Sequence, residues 1–109
     1  MVSKRVLCRE RLRRVPEHFS WVDHRLVRDE HIQRVSTEAL ALYLLLVTVA
    51  DAEGLSYYAD ATAARLLSLT PGAVLNARQE LIAASLIAYE RPLYQVLTLE
   101  SKGGAHDPL

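Results

Sequence analysis

The side chains best suited to chemistry are few in this sequence, and they form no familiar catalytic or metal-binding pattern. His18, His24 and His31 lie with Cys8 and Asp23 in the N-terminal third. A zinc site needs closely spaced pairs of ligands, whereas the three histidines are spread singly over 14 residues. Neither a Ser-His-Asp ordering nor a glycine-rich phosphate loop is present. We therefore expect a protein that is not an enzyme and that uses no metal ion or cofactor.

The cysteine content and the apolar runs bear on where the protein works. Cys8 is the only cysteine in the 109 residues, so no disulfide forms within one chain, which favours a reducing compartment. The basic N-terminus lacks the apolar stretch and the cleavage site of a signal peptide. The longest apolar run, 39–50, has 12 residues against the roughly 20 that a membrane-spanning helix needs. We expect a cytoplasmic protein that does not contact a membrane.

The formal net charge is zero, but its sign changes along the chain. Residues 1–34 contain nine Lys or Arg and five acids, a net charge of +4, and residues 35–109 contain four and eight, a net charge of −4. The basic side chains of the N-terminus include Arg9, Arg11, Arg13 and Arg14. We expect this arm to contact nucleic acid or an acidic partner, the alternative being a solvated run of charge.

Capping residues and helical spacing predict the first two helices of a domain. Ser36 is a good N-cap for a long helix that is apolar on most sides, and Gly54 is placed to take a left-handed conformation at its end. A short strand is predicted over 55–58. Asp60 is expected to cap a second helix over 61–67. The inward side chains of that helix are expected to be Ala63, Leu66 and Leu67.

The third helix has the clearest start in the chain. Thr70 is its predicted N-cap, and Pro71 occupies the first helical position, where the missing N–H costs nothing. The helix is predicted to end near Ala84 and to be followed by a hairpin with strands over 87–90 and 93–99. We expect the tyrosines around this hairpin to pack across its strands.

Weaker patterns assign the segments outside these elements. Residues 19–22 alternate in polarity and predict a short strand, and residues 26–34 predict one or two helical turns. Phe19 and Trp21 are expected to dock this segment onto the domain as core residues. The chain is therefore divided into a basic arm with a docking segment at 1–35, a domain at 36–100 and a disordered tail at 101–109.

The order of long helix, short strand, helix, turn, helix and hairpin resembles the winged helix family. The resemblance covers 36–99 and is carried by residues 60–87, which read DATAARLLSLTPGAVLNARQELIAASLI. It implies a mainly α fold with a small β-hairpin wing (α+β). Ser85 stands where most members have a glycine before the first wing strand. The positions that match the family's buried residues are Leu66, Val74, Ala77, Leu81, Leu86 and Ile87.

In the DNA-binding members of this family the third helix lies in the major groove. The resemblance implies that Asn76 and Gln79, two side chains able to bond an adenine edge, read bases, the alternative being that they are only solvated polar residues. It also implies that Arg78 contacts phosphate. The full set of predicted DNA-binding residues is Arg65, Thr70, Gly72, Leu75, Asn76, Gln79, Arg91, Arg9, Arg11, Arg13 and Arg14.

The resemblance extends to the N-terminal modules of replication initiators, phage replisome organisers and proteins encoded in mobile elements. It implies a small accessory protein in DNA replication or transcription regulation. The implied partner is double-stranded DNA, bound by a homodimer on two half-sites.

The charge of the domain leaves a second function open. Lys and Arg supply most of the non-specific affinity for DNA, and residues 35–109 have only four of them against eight acids. The alternative is a protein–protein interaction module, for dimerisation or as an adaptor, that uses the same fold without binding DNA. Its contact surface would be the apolar first helix of the domain and Leu75.

Overall fold

The described part of the chain folds into four α-helices and three short strands. A computed structural model describes residues 5–11, 13, 19–20 and 22–99. The elements are α1 (Arg25–Arg28), α2 (Thr37–Val49), β1 (Leu55–Tyr57), α3 (Asp60–Leu67), α4 (Pro71–Ala83), β2 (Ile87–Glu90) and β3 (Leu93–Val96). Single turns of 3-10 helix lie at Arg9–Arg11 and His31–Arg34. The chain is therefore an α+β protein, and its order of elements is compatible with a winged-helix-like arrangement.

The two long helices begin at the caps that the sequence predicts. The Ser36 hydroxyl accepts the Ala39 N–H at 3.1 Å at the start of α2, and the Thr70 hydroxyl accepts the Ala73 N–H at 3.0 Å at the start of α4. Pro71 is the first helical residue of α4, as expected. Each hydroxyl satisfies one of the N–H groups that a helix leaves unpaired in its first turn.

The start and the inward side of α3 differ from the prediction. Ala59 occupies the N-cap without a side-chain hydrogen bond, because Asp60 is the first helical residue and its carboxylate bonds Arg78 instead. Leu66 was expected to be buried, but its side chain is 48% exposed. The eight-residue helix turns only its small side chains, Ala63 and Ala64, fully inward.

Serines in the left-handed conformation end α3 and α4. Ser68 has φ 56°, and the Leu69 N–H donates to the Ala64 carbonyl. Ser85 has φ 61°, and the Leu86 N–H donates to the Leu81 carbonyl. These i to i−5 bonds define a Schellman motif, in which a left-handed residue lets the chain reverse sharply. Ser85 thus takes the conformation for which glycine is the usual residue.

The three strands form one antiparallel sheet in the order β1-β3-β2. The predicted hairpin is confirmed, although β3 ends at Val96. Tyr89 and Tyr94 are paired across it with ring centroids 4.6 Å apart, as expected for cross-strand aromatic packing. Gly54 has the predicted positive φ of 84°, but it lies in the turn before β1 rather than at the end of α2. A Cβ there would be 2.7 Å from the Val96 carbonyl oxygen.

α4 lies at the centre of the packing. Its buried side contacts α2 and α3, and its last turn leads into β2. Glu80 of α4 accepts both the backbone N–H of Ser36 at 2.8 Å and its hydroxyl at 2.7 Å, so the start of α2 is bonded directly to α4. The largest fully buried side chains are Tyr94, Leu42, Leu46, Leu81, Leu86, Ile87 and Val74.

The segment before α2 is helical where that was predicted, but it forms no strand in its described part. Residues 19, 20 and 22 are not in a strand, and Phe19 is 62% exposed, so it is not a core residue. Trp21 and the tail at 101–109 lie outside the described residues. Asp23 accepts the Arg25 N–H and pairs with its guanidinium, which lowers the pKa of Asp23 to about 2.

Candidate nucleic-acid interface

α4 presents a single uncharged face away from the rest of the molecule. After Pro71, the exposed positions of α4 are 72, 75, 76, 79, 82 and 83, and at 100° per residue they fall within an arc of about 120°. Their side chains are those of Gly72, Leu75, Asn76, Gln79, Ile82 and Ala83. Within the described residues, neither the Asn76 nor the Gln79 side chain makes a hydrogen bond, and both predicted readers are exposed. We call this surface the outward face of α4.

The opposite side of α4 is buried and fully engaged. Val74, Ala77 and Leu81 are at most 1% exposed, as the helical spacing predicts. Arg78 lies among them at 7% exposure. Its Nη1 donates to Asp60 Oδ1 at 2.7 Å and to the Tyr94 hydroxyl at 3.0 Å.

The prediction that Arg78 contacts phosphate is therefore wrong. Its guanidinium carbon lies 4.3 Å from the centre of the Tyr89 ring, which covers the group within the fold. Burial by itself would lower the pKa of Arg78, but the bonds to Asp60 and Tyr94 outweigh it and the pKa is raised. Burial raises the pKa of Tyr94, with Arg78 opposing the shift. Arg78 is a fixed cation that joins α4 to α3 and to the hairpin.

The acidic side chains of α3 and α4 are likewise engaged within the molecule. Asp60 is neutralised by Arg78, and both carboxylate oxygens of Glu80 accept hydrogen bonds from Ser36. Asp51, in the turn before β1, accepts two backbone N–H groups. These bonds hold the carboxylates in place but leave the net charge of residues 35–109 at −4, because Asp60 and Arg78 cancel each other and a hydrogen bond does not neutralise Glu80 or Asp51.

Two arginines on neighbouring elements are free to reach a ligand. Arg65 on α3 and Arg91 at the tip of the hairpin are both exposed, as expected of phosphate contacts. Thr70 and Gly72 are exposed at the start of α4. A Cβ on Gly72 would have nothing nearer than Thr70 Oγ1 at 3.9 Å, so the fold itself does not require glycine there.

The predicted arm is only partly described. Arg9, Arg11 and Arg13 are exposed, and Arg14 lies outside the described residues. Arg9 and Arg11 belong to a single 3-10 turn without buried residues. The arm thus offers cations to solvent, but nothing in the described residues brings it to α4.

Sequence reasoning placed Leu75 on this surface but overlooked Ile82. Ile82 is 42% exposed on the outward face, and Leu66, expected in the core, is exposed on α3. The signal for Ile82 was present, because it lies seven residues after Leu75 and so falls on the same side of the helix. The outward face therefore combines amide and aliphatic side chains.

Neither metal binding nor membrane spanning has support among the described residues. No three of their His, Cys, Asp or Glu side chains come close enough together to hold a metal ion. None of the described helices has the length and apolar character needed to cross a membrane. Comparison of the chain with protein-family models, curated proteins and solved structures finds no match.

Proposed function

We propose that this protein is a non-enzymatic DNA-binding accessory or regulatory protein, built on a winged helix-turn-helix, that acts on double-stranded DNA in the cytoplasm. α4 is the recognition helix and enters the major groove with its outward face. The observation that carries this proposal is a contrast between the two sides of α4. Asn76 and Gln79 are exposed on one face, whereas the polar groups on the opposite side are hydrogen-bonded within the fold.

Phosphate contacts come from the elements beside α4. Arg65 on α3 and Arg91 on the hairpin lie exposed to either side of the recognition helix in the chain. Thr70 and Gly72 bring the start of α4 to a phosphate, where the backbone N–H groups favour an anion. Two arginines are few for a tight complex, so the arm residues Arg9, Arg11, Arg13 and Arg14 supply the remaining charge.

The proposal is tested by measuring the affinity of the full chain for duplex DNA by fluorescence anisotropy over a salt series. Affinity should fall with salt, with a slope of about 0.9 per phosphate contact. Arg65→Ala and Arg91→Ala should each lower that slope by about 1. Arg28→Ala removes another exposed arginine, on α1, and should leave the slope unchanged. Binding of no duplex at any salt concentration rejects the proposal.

The base-reading role of Asn76 and Gln79 needs a separate measurement. Replacing both with alanine should abolish the preference for one sequence over another while leaving the non-specific, salt-dependent affinity in place. Sedimentation of the complex then gives the number of chains on each duplex. A dimer on two half-sites one helical turn apart is the expected stoichiometry.

A protein–protein interaction module is the second candidate, and the exposed aliphatic side chains favour it. Leu66, Leu75 and Ile82 are all more than two fifths exposed, and the outward face has no cation. In this case Leu75→Ser changes the oligomeric state or the capture of a partner, and the double alanine variant of Asn76 and Gln79 leaves both unaffected. DNA binding instead predicts that the double alanine variant loses its preference for one DNA sequence and that Leu75→Ser leaves the oligomeric state unchanged.

A further inference from the structure

The charge on α4 limits which bases this helix is able to read. Arg78 is the single cation between Pro71 and Ala83. It is turned away from the outward face, and its bonds to Asp60 and Tyr94 keep it there. The only acid in the same span, Glu80, is bonded to Ser36. The outward face therefore has no Lys, Arg, Asp or Glu.

These residue types are the ones that read G·C pairs in the major groove. Arg and Lys bond the O6 and N7 atoms of guanine, and Asp and Glu accept from the N4 amine of cytosine. Asn and Gln instead bond the N6 and N7 atoms of adenine, and aliphatic side chains contact the methyl group of thymine. The outward face offers Asn76, Gln79 and Leu75, which are all of this second kind.

We infer that the duplex bound by α4 carries A·T pairs at the positions that the outward face contacts, with adenine opposite Asn76 and Gln79 and a thymine methyl against Leu75. This inference rests on the proposed function and adds the chemistry of the target. Asn76 and Gln79 are three residues apart, which corresponds to about 4.5 Å along a helix. Base pairs are stacked about 3.4 Å apart, so the two amides read adjacent pairs.

The first experiment selects bound sequences from a random duplex pool with the full chain and determines their consensus. The consensus should contain adjacent A·T pairs. Exchanging either pair for G·C in the selected duplex should weaken binding about tenfold or more. A consensus with G·C pairs at the contacted step overturns the inference, although the protein would still be a DNA-binding protein.

The second experiment adds the missing guanine reader. Gln79→Arg places a guanidinium on the outward face, and the selected base at the facing position should change from adenine to guanine. Gln33→Arg is the matched control, because Gln33 is also an exposed glutamine but lies in the 3-10 turn before α2. It adds the same charge, so it should raise affinity for all duplexes without changing the consensus.

The outcomes separate this inference from the function on which it rests. If the natural chain binds no duplex in a salt-dependent way, the proposed function and the inference both fail. If it binds, but Gln79→Arg leaves the preferred base unchanged, Gln79 does not read that base and the inference alone fails. Thermal unfolding of both arginine variants verifies that they fold like the natural chain, which we expect because both positions are exposed.

Discussion

The two sides of α4 differ in how far their polar groups are already used within the fold. On the buried side, Arg78 is bonded to Asp60 and Tyr94, and the neighbouring Glu80 is bonded to Ser36. On the outward face, the Asn76 and Gln79 side chains have no hydrogen-bond partner among the described residues. One helix therefore contains both the polar contacts that hold three elements together and amides available to a ligand.

This difference shows that residue type alone does not tell whether a polar side chain stabilises the fold or is available to a ligand. Arg78, near the middle of α4, was predicted to contact phosphate, yet it is a structural cation bonded within the fold. Buried polar groups are costly to leave unpaired, so replacing them should destabilise the protein strongly, whereas exposed amides contribute little to folding. Stability measurements on both sides of α4 test this division.

The largest effect is expected for Arg78→Ala. The variant removes a buried cation, frees Asp60 and leaves the buried Tyr94 hydroxyl without its donor. Breaking a buried ion pair costs about 3–5 kcal/mol, and the 40% exposure of the Asp60 side chain places this case near the lower value. We expect the free energy of unfolding to fall by about 3 kcal/mol and Tm by more than about 10 °C.

Circular dichroism during thermal and urea unfolding measures this loss. Arg65→Ala is the matched control, because Arg65 is exposed, and its effect should stay within about 0.5 kcal/mol. Equal stabilities of the two variants would contradict the structural role of Arg78.

The second largest effect compares the same substitution at two glycines. Gly54 has a positive φ, and an added Cβ would lie 2.7 Å from the Val96 carbonyl oxygen, so Gly54→Ala should cost about 2 kcal/mol of unfolding free energy. Gly72 is helical, and an added Cβ would make only an ordinary contact with Thr70 Oγ1 at 3.9 Å, so Gly72→Ala should stabilise the protein by about 0.5–1 kcal/mol.

Urea unfolding of both glycine variants gives the two values. If Gly72→Ala is stabilising but weakens duplex binding, glycine serves the close approach of a ligand to the helix rather than the fold. A destabilising Gly72→Ala would instead place position 72 among the residues that the fold requires.

A smaller effect is expected for Glu80→Gln, which keeps the shape of the side chain and removes its charge. The amide still accepts the Ser36 N–H but loses the charge-assisted bond from the Ser36 hydroxyl. The expected loss is about 1 kcal/mol. Glu53→Gln, at an exposed position in the turn before β1, serves as the control and should have no measurable effect on Tm.

Local signals predicted the elements of the fold well. The caps at Ser36 and Thr70, the proline at the start of α4 and the hairpin depend on short-range chemistry that is visible in the sequence. The same helical spacing predicted both the buried Val74, Ala77 and Leu81 and the exposed Asn76 and Gln79.

Contacts between distant residues were harder to predict. Arg78 and Asp60 are 18 residues apart, and nothing local to either residue indicates that they are paired. The spacing did contain a hint, because Arg78 is four residues after Val74 and three before Leu81, on the buried side. Leu66 was misplaced because the short α3 turns only two alanines fully inward before Ser68 ends it. In both cases tertiary packing decided the outcome.

The smallest effect on stability is expected for the double variant Asn76→Ala and Gln79→Ala. Both side chains are exposed and bond nothing in the described residues, so the free energy of unfolding should change by less than about 0.5 kcal/mol. The change should be slightly stabilising, because alanine has a higher helix propensity than asparagine or glutamine.

This near-zero result is the most informative one, because it is measured on the same variant that should lose sequence preference for DNA. Loss of the preference for one DNA sequence without loss of unfolding free energy would mean that the two amides do not stabilise the fold and serve to bind a ligand. A loss of more than about 1 kcal/mol, measured by urea unfolding, would contradict the comparison, since the amides would then be part of what holds the molecule together. If that loss varied with protein concentration, the contact would lie between chains, because the stability of an associating protein depends on its concentration.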